Sequence, residues 1–172
     1  FPEVDAVLGV GSIHKIVEAV KYVEEKGRGY SSFLDKNTVE LGGDRVLTTP
    51  AHWTYLKIAE GCDNRCTYCA IPDIRGRFRS RPMENIIAEA ASLAEIGVKE
   101  LILIAQDLTY YGRDIDGQYH IVELVKRLLE IKEFEWIRLH YGYPQGLPDE
   151  LFDMMNNEPR ICNYIDLPLQ HI

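Results

Sequence analysis

Three cysteines, Cys62, Cys66 and Cys69, fall within eight residues in the order Cys-x-x-x-Cys-x-x-Cys, inside the run EGCDNRCTYCAIPDIRGRFRSRP from Glu60 to Pro82. Thiolates are soft, anionic donors that stabilise iron and admit an electron at low potential. Three of them on one short loop suit three corners of an iron-sulfur cube and leave the fourth iron open to a ligand. A ferredoxin cube usually takes a fourth Cys, and structural zinc usually takes four Cys or His ligands. A loop one donor short of either is suited to chemistry rather than to structure alone.

Two plainer readings compete. Cys162 brings the total to four cysteines, enough for two disulfides. The chain is nevertheless long and poor in cysteine for a secreted disulfide scaffold, and it shows neither a signal peptide nor an apolar stretch of membrane length. Zinc would need Cys162 or a histidine as fourth ligand, and of the paired Cys-x-x-Cys knuckles usual for zinc only Cys66 to Cys69 is present. Cys162, in PRICNYIDL at the entry to an apolar run, reads most simply as a small buried hydrophobe.

The elements that position the loop follow from periodicity. A helix is expected over Ser12 to Glu25, with Ser12 as N-cap, Gly27 beyond its end, and Ile13, Ile16, Val17, Val20 and Val23 at helical spacing. Gly27 to Thr49 reads as a linker with a short strand near Thr38 to Leu41. From Trp53 onward, strands are expected at Trp53 to Ala59, Glu100 to Ala105, Glu135 to Leu139 and Tyr164 to Leu169. Helices are expected between them at Pro82 to Ile96, Tyr119 to Ile131 and Pro148 to Asn156, with Pro82 and Pro148 in first helical turns and Gly97 at a helix end. The apolar run Leu101 to Ile104 suggests a strand covered on both faces, hence a parallel sheet clad in helices. The alternation is that of an α/β fold with right-handed crossovers. In an α/β barrel, function collects after the strand C-termini. That rim would carry the cysteine loop, then Gln106 and Asp107, then His140 and Tyr143, then Gln170 and His171.

At 172 residues, with 46% apolar and 10% aromatic residues, the chain is long enough to bury one good core. A net charge of −8 argues against broad binding to nucleic-acid phosphates and suits a basic protein partner better. Arg75, Arg77, Arg79 and Arg81 form a local basic cluster at alternating positions, either a solvated or internally paired segment or a wall near a ligand. Free thiolates point to reducing surroundings, so the cytoplasm is the expected compartment.

The cysteine loop resembles that of the radical S-adenosylmethionine (SAM) enzymes. The residue before the third cysteine there is commonly aromatic and near the adenine, and here it is Tyr68. The segment IPDIRGRFRSRP, Ile71 to Pro82, narrows the resemblance to the methylthiotransferases. YLKIAEGC from Tyr55 to Cys62 and LILIAQDLTYYGRD from Leu101 to Asp114 are closer to the branch that modifies an aspartate of a small-subunit ribosomal protein. The transfer RNA branch tends to carry Gly-Gln-Asn where this chain has Ala105, Gln106 and Asp107.

The resemblance implies a partial (β/α) TIM-like barrel of the radical SAM type, cut to about four β/α units. Residues 1–45 would be the tail of an N-terminal methylthiotransferase domain plus linker, and residues 46–172 the first part of the radical SAM core. Cys62, Cys66 and Cys69 would bind a [4Fe-4S] cluster whose unique iron is chelated by SAM. The resemblance also implies a second [4Fe-4S] cluster in the part of the N-terminal domain expected to be missing here. The reduced cluster would cleave SAM to a 5'-deoxyadenosyl radical that takes hydrogen from an unactivated carbon, while the protein orients the cofactor and excludes water and oxygen.

Gln106 is expected to contact the methionine end of SAM, the alternative being an amide bonded to backbone. Asp107 and Asp114 would contact substrate or cap loops. His140 and His171 are as consistent with packing as with ligation, so no catalytic residue and no general base is assigned. Tyr110, Tyr111, Tyr141 and Tyr143 either line the rim or pack beneath it. Expected partners are a small ribosomal subunit protein and a flavodoxin- or ferredoxin-type reductant, with no membrane, and nucleic acid only through a missing C-terminal domain. The alternatives are the same chemistry on a tRNA adenosine of the N6-isopentenyl or threonylcarbamoyl type, and a metal-stabilised binding module without turnover. As a fragment, the chain is not expected to complete methylthiolation.

Overall fold

Period-two and helical stretches fold in the expected alternation. The computed structural model describes residues 1–39, 41–43, 45–48 and 50–168. In chain order these form β1 (Ala6–Leu8), α1 (Ile16–Lys26), β2 (Tyr30–Ser32), β3 (Trp53–Lys57), β4 (Ala59–Glu60), α2 (Ile71–Arg75), β5 (Arg79–Ser80) and α3 (Met83–Glu95). There follow β6 (Glu100–Ile104), α4 (Arg113–Asp116), α5 (Ile121–Leu129), β7 (Trp136–His140) and α6 (Asp149–Asn157). The chain divides into two compact units, Phe1–Glu40 with Cys62–Arg77, and Leu41–Gly61 with Phe78–Ile172.

In the first unit β1 and β2 pair in parallel, Ala6 opposite Tyr30 and Leu8 opposite Ser32, with α1 as the crossover. Ala19 is the buried residue of α1, and Tyr22 packs its ring 5.3 Å from that of Tyr30. Gly27 ends the helix at φ +83°, a conformation that favours glycine.

The start of this helix departs from expectation. Val10–Lys15 is 3-10 and the α-helix begins only at Ile16, so Ser12 is not an α-helical N-cap. Ser12 is fully buried, and its Oγ accepts from Leu34 N at 2.9 Å and from Ser32 Oγ at 3.0 Å. The carbonyl of Leu34 lies where a Cβ on Gly11 would sit, so the segment after β2 passes too close for any side chain there. An otherwise orphaned amide takes the hydroxyl. Ile13, Ile16, Val17 and Val20 keep helical spacing but are 57%, 52%, 61% and 50% exposed, outside this unit's core. In place of the strand expected near Thr38 to Leu41, Lys36–Thr38 is a 3-10 turn capped by Asp35, which accepts from Asn37 N at 2.9 Å. Glu40 lies outside the described residues.

The second unit is built on a parallel sheet in the order β3-β6-β7. Its register aligns Thr54, Leu101 and Ile137, and then Leu56, Leu103 and Leu139. These six side chains are buried, and the five apolar ones share a core with Ile86, Ala90 and Leu93 of α3 and Leu124, Val125 and Leu128 of α5. The intervening rows are Trp53, Glu100 and Trp136; Tyr55, Ile102 and Arg138; and Lys57, Ile104 and His140. None of these nine is fully buried. The apolar run Leu101 to Ile104 is thus covered fully on one face only, because the packed helices lie on the side of Leu101 and Leu103.

Pro82 and Pro148 stand at N-cap positions with extended ψ of 133° and 142° rather than in first turns. Gly97 follows α3 at φ +96°. The fourth strand is not formed over Tyr164 to Pro168, and Leu169 lies outside the described residues. The sheet is instead extended by one parallel bridge between Ile137 and Ile161, after which Tyr164 N bonds back to Cys162 O at 2.7 Å and turns the chain off the ladder. The observed architecture is α/β with parallel strands.

Candidate metal centre

The cysteine-bearing segment is closed by a very short stem. Ala59 pairs with Ser80 and Glu60 with Arg79 in the antiparallel β4-β5 ladder, and Arg81 N donates to Ile58 O at 2.9 Å. The chain turns away at Gly61, φ +78°, whose N–H donates to Glu60 Oε1 at 3.1 Å. Glu60 is 4% exposed, and its other oxygen takes the Lys57 ammonium.

Within the segment, Cys62 N donates to Gly76 O at 3.3 Å, which fastens the two ends together. Cys69 N donates to Cys66 O at 3.0 Å, so the second and third cysteines flank one tight turn, with Arg65 just before it at φ +48°. α2 starts directly after Cys69, with Ile74 N bonded to Ala70 O, and stops at Gly76, φ +83°. Its far end is tied to the Lys36–Thr38 turn: Arg77 N donates to Asn37 Oδ1 at 3.0 Å and the Lys36 ammonium to Asp73 O. Arg77 also pairs with Asp63 at 3.1 Å.

All four cysteines are free thiols of intermediate exposure, so neither disulfide of that reading is formed. Among the described residues, no three Cys, His, Asp or Glu side chains are gathered closely enough to share one metal ion. In a cube each thiolate takes a different iron, so three cysteines on one segment suffice for three of its corners. Three thiol side chains on one pinned segment, none of them in a disulfide, have the donor chemistry such a group needs.

Tyr68 is 74% exposed. Gln106 is half-buried, two residues beyond the end of β6. Asp107, 4% exposed, caps the Leu108–Tyr110 turn by accepting from Thr109 N at 3.0 Å. Asp114 accepts from both N and Oγ of Ser80, a contact to the stem that its place in the sequence did not disclose. His140 ends β7 with Nε2 3.0 Å from Asp166 Oδ2, while Gln170 and His171 lie outside the described residues.

The tyrosines divide. Tyr111 is 1% exposed, donates to Arg81 O at 3.0 Å, and has its phenol pKa pushed up to about 12 by burial. Tyr110 packs its ring 4.9 Å from Phe78, Tyr143 is half-buried, and Tyr141 is exposed at φ +75°. The alternating arginines divide too: Arg77 pairs at the surface, while Arg81 is 3% exposed and bonds Glu89 and Lys57 O, each at 2.6 Å. For Arg77 and Arg81 the cluster is one of internal pairing.

The Radical SAM superfamily model matches residues 56–172. Ribosomal protein uS12 methylthiotransferase RimO of Clostridium tetani is 50% identical over 99% of this chain and 38% of its own length, and the protein of that name from Desulforamulus reducens gives the same values. The chain therefore spans under two-fifths of these curated relatives. Among solved structures, the radical SAM methyltransferase TsrM of Kitasatospora setae is 19% identical, covering 61% of this chain and 20% of its own, with a TM-score of 0.45, too partial a likeness to define a shared barrel. The chain belongs to the radical SAM superfamily.

Proposed function

We propose that this chain is part of a radical SAM methylthiotransferase that inserts sulfur and a methyl group at an unactivated C–H bond, the β-carbon of an aspartate in a small-subunit ribosomal protein. The observation that carries this reading is the 50% identity, over 99% of the chain, to enzymes named for methylthiolation of uS12. Residues 1–45 would then be the tail of an N-terminal domain, and residues 46–172 the first four units of a partial barrel.

Cys62, Cys66 and Cys69 would hold a [4Fe-4S] cluster, Tyr68 would lie beside the adenine of SAM, and Gln106 would reach its methionine end. The bound cluster and SAM together supply the radical that activates the C–H bond. The chain's own part is positional. The β4-β5 stem and the Cys62 to Gly76 bond hold the ends of the loop, and the turn between Cys66 and Cys69 sets their spacing. A second cluster in the rest of the N-terminal domain, a flavodoxin- or ferredoxin-type reductant and a cytoplasmic setting complete the reading. No described helix is long and apolar enough to cross a membrane.

The test uses the full-length enzyme, reconstituted anaerobically. Cys66→Ala should lower the iron content by about four per chain, the content of one cube, and abolish SAM cleavage. Equal iron in variant and parent would refute the ligand assignment. Methylthiolation of tRNA but not of uS12 would replace the aspartate reading with its runner-up.

A further inference from the structure

The β4-β5 ladder that closes the cysteine segment is two residues long on each strand. A ladder this short is marginal by itself. Its second strand is gripped from outside. Asp114 accepts from Ser80 N at 2.8 Å and from Ser80 Oγ at 2.6 Å, and Ser80 Oγ in turn accepts from Gly112 N at 2.9 Å. One residue further, Tyr111 OH donates to Arg81 O at 3.0 Å. Three of the four residues Tyr111–Asp114, all but Arg113, thus converge on β5 and the residue after it.

That gripping segment is itself held. Gly112 sits at φ +91°, where an added Cβ would fall 2.7 Å from the Cβ of His120. His120 N donates to Tyr111 O at 2.8 Å. The imidazole of His120 lies 2.8 Å from Asp116 and 3.0 Å from Glu123, and the Arg113 guanidinium stands 5.1 and 5.2 Å from the ring centroids of Tyr110 and Tyr119. A carboxylate that receives both donors of one serine, from a segment braced this way, is more than a loop cap.

We propose that Asp114 is a positioning residue: by clamping Ser80 it fixes the stem from which the cysteine segment departs, and so sets how tightly the three thiolates retain their iron. This rests on the cluster reading above. The clamp acts on the returning strand of the stem. Asparagine at 114 keeps one acceptor oxygen but presents an amide donor to one of the two Ser80 donors, so it should undo half the clamp.

The experiment follows iron loss to a chelator from anaerobically reconstituted full-length enzyme, together with the EPR signal of the reduced cluster before and after SAM. Asp114→Ala, Ser80→Ala and the double variant are compared with Leu128→Val, a core substitution that lowers stability without touching the stem. The expected result is at least a fivefold faster iron loss in Asp114→Ala, an intermediate rate in Asp114→Asn, and a double variant no faster than the faster single one. The SAM-induced EPR change should also be altered. If Asp114→Ala loses iron no faster than Leu128→Val at matched melting temperature, or if the single effects simply multiply, the proposal is overturned. A variant too unstable to isolate leaves Ser80→Ala and Asp114→Asn to decide on the same criteria. Failure of the cluster reading looks different, since the parent enzyme would then lose no iron when Cys66 is replaced.

Discussion

Arg81 and Glu89 form an ion pair at 2.6 Å in which the arginine side chain is 3% and the glutamate 17% exposed. Glu89 also receives Arg45 Nε at 3.3 Å, and Arg81 spends its second terminal nitrogen on Lys57 O. Removing one partner of a buried pair leaves the other charge without compensation. Glu89→Ala should therefore cost about 3 kcal/mol, read as a lower urea midpoint. Arg81→Met, which removes the buried charge itself, should cost less.

Ser12 makes a different kind of contribution. Its fully buried hydroxyl accepts from the Leu34 amide. Ser12→Ala should cost about 1 kcal/mol, the net worth of a part-buried hydrogen bond. The Leu34 amide should lose hydrogen-exchange protection more than the amides of α1.

Gly76 should tolerate no side chain. Its φ of +83° with ψ near −168° is a glycine region, and an added Cβ would press on the Asn37 amide, 3.2 Å from Cγ and closer still to Oδ1. Gly76→Ala should cost about 1–3 kcal/mol through backbone strain. Since Gly76 O fastens Cys62 N, the same variant should also weaken iron retention.

The pH dependence of the second unit should carry the signature of His120. Hydrogen bonding to Asp116 and then to Glu123 raises its pKa above the usual 6.5, so the folded state favours the imidazolium. The stabilisation is complete below 6.5 and fades as pH rises through the higher folded value. Asp116, lowered first by its bond from the Gln118 backbone and then by His120, works in the acid range, losing its contribution as pH falls through its depressed value. A melting temperature that declines above pH 6.5 in the parent and not in His120→Gln is the expected outcome.

Cys162 should be the slow thiol. Burial raises its pKa above the usual 9.0, partly offset by Arg138. Because the thiolate is the nucleophile, its alkylation rate should keep climbing beyond pH 9, as mass spectrometry of the modified peptide would show.

How far the sequence carried depends on which force set each feature. The strands β3, β6 and β7 and the helices α3, α5 and α6 were legible because their apolar spacing is the same thing as their burial. The cysteine loop draws attention by residue chemistry and spacing, while the bond from Cys69 N to Cys66 O that shapes its turn is not visible in them. A serine ahead of a helix usually caps it, whereas here Ser32 at the end of β2 and Leu34 just after it claim the Ser12 hydroxyl. The Tyr164 to Leu169 strand was read from apolar content, but a ladder needs a partner in register, and one bridge at Ile161 ends that pairing early. The Ser80 to Asp114 clamp joins residues far apart in the sequence, and no local pattern announces it.

The parallel register has a last consequence for how such a protein changes over generations. Cohesion resides in the rows headed by Thr54 and Leu56, while the row of Lys57, Ile104 and His140 ends the same strands with side chains that are only partly buried. Mutations can therefore explore new reactive groups at the strand tips while the interior that holds the molecule together is left alone.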